Sequence, residues 1–200
     1  MPSRLDDLFA HIAQLEREVE AELAQARDQW RYRIEAGRVR FERDVRLAHK
    51  LLKQSIPRFI RESSPRNLVT APVIYSMVIP IALLDLWISV YQAVCFPIYG
   101  ITRVRRSTYI AIDRHHLGYL NAIEKLNCDY CGYANGVFAY VREIAGRTEQ
   151  YWCPIRHATR IGAPHLHYRD FADYGDAKGY IRLLPVLRAR LKADGSPDES

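Results

Sequence analysis

Apolar residues recur along the first quarter of the chain in steps of three and four. The positions are Ile12, Leu15, Val19, Leu23, Ala26, Trp30, Ile34, Gly37, Phe41, Val45, Ala48 and Leu52, an eleven-residue repeat. Eleven residues over three turns is about 3.67 per turn, so such a stripe drifts slowly around a straight helix. No proline stands between Pro2 and Pro57. The pattern predicts one amphipathic helix over residues 5–55, roughly 75 Å long at 1.5 Å per residue. A helix of that length cannot fold back on itself. Its stripe calls for a second copy of the chain, a partner helix, or a membrane interface.

The pattern then changes. Residues 68–100, LVTAPVIYSMVIPIALLDLWISVYQAVCFPIYG, contain a single formal charge, Asp85. A run so long and so apolar reads as membrane-embedded. Tyr75, Trp87, Tyr91 and Tyr99 are aromatics suited to a lipid–water boundary. Arg58, Arg61 and Arg66 precede the run, and Arg103, Arg105 and Arg106 follow it. Positive charge on both flanks favours a re-entrant or shallow hairpin with both ends on the cytoplasmic face. In that arrangement Pro80 opens the bend and Asp85 is a polar tip. The alternatives are a single span with Asp85 buried in it and a core hairpin of a soluble protein.

The remainder, residues 107–192, reads as a small helical module. Ser107 can cap a helix over 108–126, Asn127–Gly136 is expected to break it, and further helices follow over 137–150 and over 178–192, the last interrupted at Pro185. The last residues, 193–200, read as a disordered tail. The expected fold is therefore mainly α. A long N-terminal helix (1–57) leads into a membrane-embedded segment (58–106) and a Cys/His-containing module (107–192).

Charge sharpens this picture. The whole chain carries +6 with a pI near 9.2, but the charge is uneven. Residues 1–26 sum to −4 and residues 27–66 to +7, so the basic stretch adjoins the apolar run. Cytoplasmic positive charge gathers in that position. Nucleic-acid binding through 27–66 is a weak reading, because its arginines alternate with acids as on a solvated helix face. The first thirty residues are too charged for a signal peptide.

The densest chemistry lies in NCDYCGYANGVFAYVREIAGRTEQYWCPIRH, residues 127–157. Cys128 and Cys131 form C-x2-C, and Cys153 and His157 form C-x3-H, giving C-x2-C-x21-C-x3-H. Such short spacings let two side chains reach one ion, and a Cys3His set suits a structural zinc. Closing the set within one chain requires residues 132–136 to run back along the helix that follows. The other route joins pairs from neighbouring copies. A thiol-redox use of Cys128, Cys131 and Cys153 is the competing chemistry. Cys95 is a packing residue in the apolar run. His115, His116, His165 and His167 read as surface residues. Glu143 and Glu149, six apart, fall on different helix faces and do not form a carboxylate pair. No P-loop, Rossmann or GxSxG pattern occurs.

The stretches LNAIEKLNCDYCGYANG and REIAGRTEQYWCPIRH resemble an uncharacterised family of small bacterial membrane-associated proteins, over about half of the chain. The resemblance implies a bacterial source and membrane association, and brings no activity with it. The expected function is a membrane-associated, oligomeric scaffold or adaptor at the bacterial inner membrane, with cytoplasmic N- and C-terminal parts and a structural zinc. The alternative is a membrane-bound thiol-redox or metal-dependent enzyme using the same cysteines, assisted by Asp85 or by His115 and His116.

Overall fold

The computed structural model describes residues 4–29, 32–35 and 38–193. Its elements are α1 (Arg4–Gln29), β1 (Tyr32–Glu35), β2 (Arg38–Phe41), α2 (Arg43–Leu52), α3 (Ile56–Glu62), α4 (Pro65–Ser76), α5 (Val78–Tyr99), α6 (Arg106–Tyr109), α7 (Ala122–Trp152) and α8 (Ala177–Ala193). The chain is mainly helical, as its pattern predicts. It divides into two units, one of residues up to Glu62 with Asp113–Asn127, the other of Ser63–Ile112 with Cys128 onward. Of the tail expected at 193–200, Ala193 ends a helix and residues 194–200 lie outside the described residues, as do two stripe positions, Trp30 and Gly37.

In the first unit the continuous 5–55 helix is not found. α1 ends at Gln29 and an antiparallel hairpin follows, pairing Tyr32 with Phe41 and Ile34 with Val39. The segments YRIE and RVRF alternate apolar with charged residues, which is strand periodicity. Steps of three and four happened to land on Ile34 and Phe41 and passed over Tyr32 and Val39. A glycine inside the run, unfavourable in a helix, was the sequence cue for a turn. The hairpin is tied to α2 by rings: Phe41 lies 5.6 Å from Tyr32 and 5.0 Å from His49, and His49 lies 5.0 Å from Tyr119. On α1 the stripe persists, with Ile12, Leu15, Val19 and Leu23 all exposed.

The helix expected at 108–126 is also absent. After the single turn of α6 the chain is extended at Ile110, and α7 begins only at Ala122. Asn121 decides that start. Its Oδ1 accepts from the Ile123 and Glu124 N–H groups at 2.9 and 3.0 Å, while Glu124 Oε2 accepts from the Asn121 N–H at 2.8 Å. This reciprocal cap is readable in the sequence as Asn-x-x-Glu.

In the second unit α7 runs straight through Asn127–Gly136, where a break was expected. Asn135 and Gly136 signal a turn only when nothing else needs a small residue there. Here the segment 109–111, where α6 ends and the chain becomes extended at Ile110, lies directly on the helix. A Cβ on Gly136 would stand 2.7 Å from the Tyr109 carbonyl oxygen and 2.9 Å from Ile110 Cα. Gly136→Ala is therefore expected to cost about 1–3 kcal/mol by overpacking, since backbone atoms cannot yield. Gly162→Ala, with nothing within 4 Å of its added Cβ, is the neutral control in the same denaturation experiment.

The core of this unit joins α5, α7, α8 and the 101–104 segment: Phe96, Ile101, Val104, Tyr140, Ile144 and Leu191 cluster together. α5 ends on Gly100 at φ +69°, and the Ile101 N–H returns to the Phe96 carbonyl at 2.8 Å. That left-handed cap turns the chain back along α5. α8 spans the predicted 178–192 helix, but the interruption expected at Pro185 is not found, and the proline lies inside a continuous helix. Gln150 donates to the Leu187 carbonyl at 3.0 Å.

Candidate functional site

α4 and α5 are joined by one residue, Met77, whose φ −65° and ψ −14° are helical. Pro65–Tyr99 thus forms a single run of 35 residues that is long and apolar enough to cross a membrane, by length and composition. The expected hairpin is not present, and Pro80 opens no bend. It stands at the third residue of α5, where N–H groups lack helical partners in any case, so its missing donor costs little. Asp85 is accordingly mid-helix and not at a tip.

The two faces of α5 differ sharply. Ile81, Asp85, Gln92 and Phe96 are buried, at the spacing of one helix face. Leu83, Leu86, Trp87, Val90, Val94 and Ile98 point outward, with Trp87 75% exposed. All the strongly polar residues of the helix lie on the inner face, and each is bonded. Asp85 accepts from Arg106 at 2.6 Å (Nη2 to Oδ2) and 3.0 Å (Nε to Oδ1), and from the Tyr133 hydroxyl at 2.9 Å. Gln92 accepts from the Val104 N–H at 3.0 Å and donates to the Val104 carbonyl at 3.3 Å and to the Tyr140 hydroxyl. The Tyr91 and Thr148 hydroxyls are 3.1 Å apart. Within a surface this apolar an unpaired carboxylate is very costly, so the pairing explains how Asp85 is tolerated.

The four residues expected to bind zinc are not brought together. Cys128 and Cys131 lie one turn apart on α7, while Cys153 follows that helix's last residue. Along a straight helix Cys131 and Cys153 are about 33 Å apart. The return path through 132–136 does not exist, because those residues are helical. His157 stacks on Tyr168 with ring centroids 5.9 Å apart, and its backbone N–H donates to the Tyr168 hydroxyl at 2.6 Å. Among the described residues no group of three or more His, Cys, Asp or Glu side chains is placed to hold a metal ion. Along α7 the Cys128–Cys131 pair is held away from Cys153, so the Cys3His set is not assembled among the described residues.

A different polar cluster does form, from residues read as surface groups. Gly146 on α7 leaves room for two imidazoles: a Cβ there would meet His165 Cγ at 2.9 Å and His167 Cδ2 at 3.1 Å. His167 Nε2 lies 3.0 Å from Glu143 Oε1, and His165 Nε2 lies 2.8 Å from Glu149 Oε2. Arg147 donates to Glu143 at 2.8 Å and to the Thr102 carbonyl at 3.0 Å. Arg142 donates to the Ala163 and Pro164 carbonyls. Glu143 and Glu149 do point from different faces, as their spacing requires. They are nonetheless bridged by one loop, because His165 and His167 straddle the helix at its glycine. The sequence cue was Gly146 between two carboxylates, with a His-x-His further on.

The chemistry of this cluster is that of a fastener. Each imidazole commits Nε2 to a carboxylate, and His165 Nδ1 is buried without a partner. The His167 hydrogen bond, followed by Arg147, overcomes burial and holds the Glu143 carboxyl down at about 2 from its ordinary 4.5. A depressed carboxylate contributes stability that is present above pH 4.5 and lost as the pH falls toward 2. Glu143→Gln is expected to remove this part of the acid limb of an unfolding-versus-pH curve. An unchanged acid limb in the variant would assign the sensitivity to other groups.

No protein-family model matches the chain, and neither a curated protein nor a solved structure matches it.

Proposed function

We propose that this protein is a membrane-associated, non-catalytic scaffold at the cytoplasmic face of a bacterial inner membrane. α4 and α5 anchor it, and α1 offers its apolar stripe to a second copy or a partner helix. One observation carries the reading: Pro65–Tyr99 exposes apolar side chains along its length, and Asp85 and Gln92, the strongly polar residues of α5, are turned inward and bonded. Apolar exposure of that extent on a monomer marks a contact with membrane or protein. Arginines on both sides of the run favour an anionic membrane. α1 supports the scaffold role, because an acidic helix with an uncovered stripe has the features of an interaction arm. The test is fractionation of the full chain from expressing cells. The protein is expected in the membrane pellet and in detergent extracts; recovery in the soluble fraction overturns the proposal.

A further inference from the structure

The length of Pro65–Tyr99 suggests a crossing, but what packs beside it does not. The chain leaving Gly100 runs back along α5 in irregular conformation, with Val104 bonded to Gln92 and Arg106 to Asp85. The end of α6 and the residues after it, 109–111, then lie on α7 at Gly132 and Gly136. α7 accompanies α5 in the same direction, through Tyr133 at Asp85, Tyr140 at Gln92 and Tyr151 at Tyr99. It carries Arg142, Glu143, Arg147 and Glu149, and it holds the loop of His165 and His167. Were α5 perpendicular to the bilayer, this irregular backbone and these charges would all stand at hydrocarbon depth. Lipid-exposed irregular backbone is not viable there, and each charge costs about 2.5–3.5 kcal/mol on insertion scales.

We propose that α5 lies in the plane of the membrane surface, its outward face seated in the headgroup–acyl boundary of an anionic bilayer and its Asp85–Gln92 face turned to the protein. This rests on the membrane reading above and fixes its geometry. The outward side chains Leu83, Leu86, Val90, Val94 and Ile98 supply the inserted face. Trp87 and Trp152 line one shallow groove on its flank, where indole rings favour the lipid–water boundary. Arg66 stands exposed before the helix, and Arg103 and Arg105 stand exposed after it. In a crossing helix Arg103 and Arg105, on the chain that returns along α5, would stand at hydrocarbon depth; a helix lying flat lets all three reach the same headgroups. An in-plane helix buries its apolar face only about 5–10 Å deep.

Two measurements on the full chain test this. Epitope tags at each terminus are probed by protease in spheroplasts and in inverted membrane vesicles. Both tags are expected to be cut in inverted vesicles alone. One tag cut from each side overturns the in-plane seating while leaving membrane association intact, whereas absence of the protein from membranes overturns both. In flotation, vesicles containing phosphatidylglycerol are expected to carry the protein, and Arg66→Gln and Arg105→Gln are each expected to weaken that binding about fivefold. Equal binding to neutral phosphatidylcholine vesicles overturns the anionic assignment.

Discussion

Replacing Leu83 and Val90 together by glutamate is expected to release the protein from membranes while leaving its helical content intact. Both side chains are exposed, Leu83 at 60% and Val90 at 47%, so neither holds the protein core together. Burying an aliphatic side chain of this size is worth about 1.5–3 kcal/mol, and two of them about 3 kcal/mol or more. At 1.4 kcal/mol per factor of ten, the pair lowers partitioning by at least about a hundredfold. Two carboxylates facing anionic headgroups add to the loss. The measurement is vesicle flotation beside far-ultraviolet circular dichroism. Ile81→Glu, on the buried face of the same helix, is the contrasting variant and is expected to unfold the second unit. If the double variant floats like the unsubstituted chain, α5 is not the anchor.

The ion pair on the inner face makes the second large prediction, and the prediction is an asymmetry. The Asp85 side chain is 10% exposed and that of Arg106 is 48% exposed. Arg106→Ala therefore strands a buried carboxylate with only the Tyr133 hydroxyl for company, a loss of about 3–5 kcal/mol. Asp85→Leu instead frees a guanidinium that can turn to water. Its cost is confined to the unpaired Tyr133 hydroxyl, about 1–2 kcal/mol, offset in part by the added apolar contact. Asp85→Leu in the Arg106→Ala background is expected to recover most of the stability lost. Chemical denaturation in detergent measures all three variants. Equal losses from both single variants would mean that the pair is solvated and that Asp85 is not enclosed as described.

Much of the architecture was legible in the residues, and the errors have physical causes. The apolar run at 68–100 and the helix at 178–192 follow from composition and period, which act locally. The hairpin at 32–41 was missed because period 3.6 and period 2 overlap over four residues, and the longer pattern prevailed. The helix through Asn135 and Gly136 was missed for a different reason. Glycine's local preference for turns was outweighed by the approach of 109–111, a contact made by residues some twenty-five positions away. Asn121 and Glu124, by contrast, carried a readable cap that places the start of α7.

The site shows the same division. Ligand spacing made Cys128, Cys131, Cys153 and His157 a coherent set only while the segment between them could bend. Once α7 continues to Trp152, its 1.5 Å rise per residue holds the two pairs apart. Composition and charge alone place one long apolar stretch at 68–100, with arginines on both sides of it and a single carboxylate, Asp85, within it. Hydrophobicity and charge are properties of the residues and hold in any conformation. Folding in three dimensions is what brings Asp85 to Arg106 and Tyr133, Glu143 and Glu149 to His167 and His165, and irregular chain alongside α5. Those meetings depend on which distant segments the packing of α5 on α7 brings side by side, and no local pattern of residues encodes them.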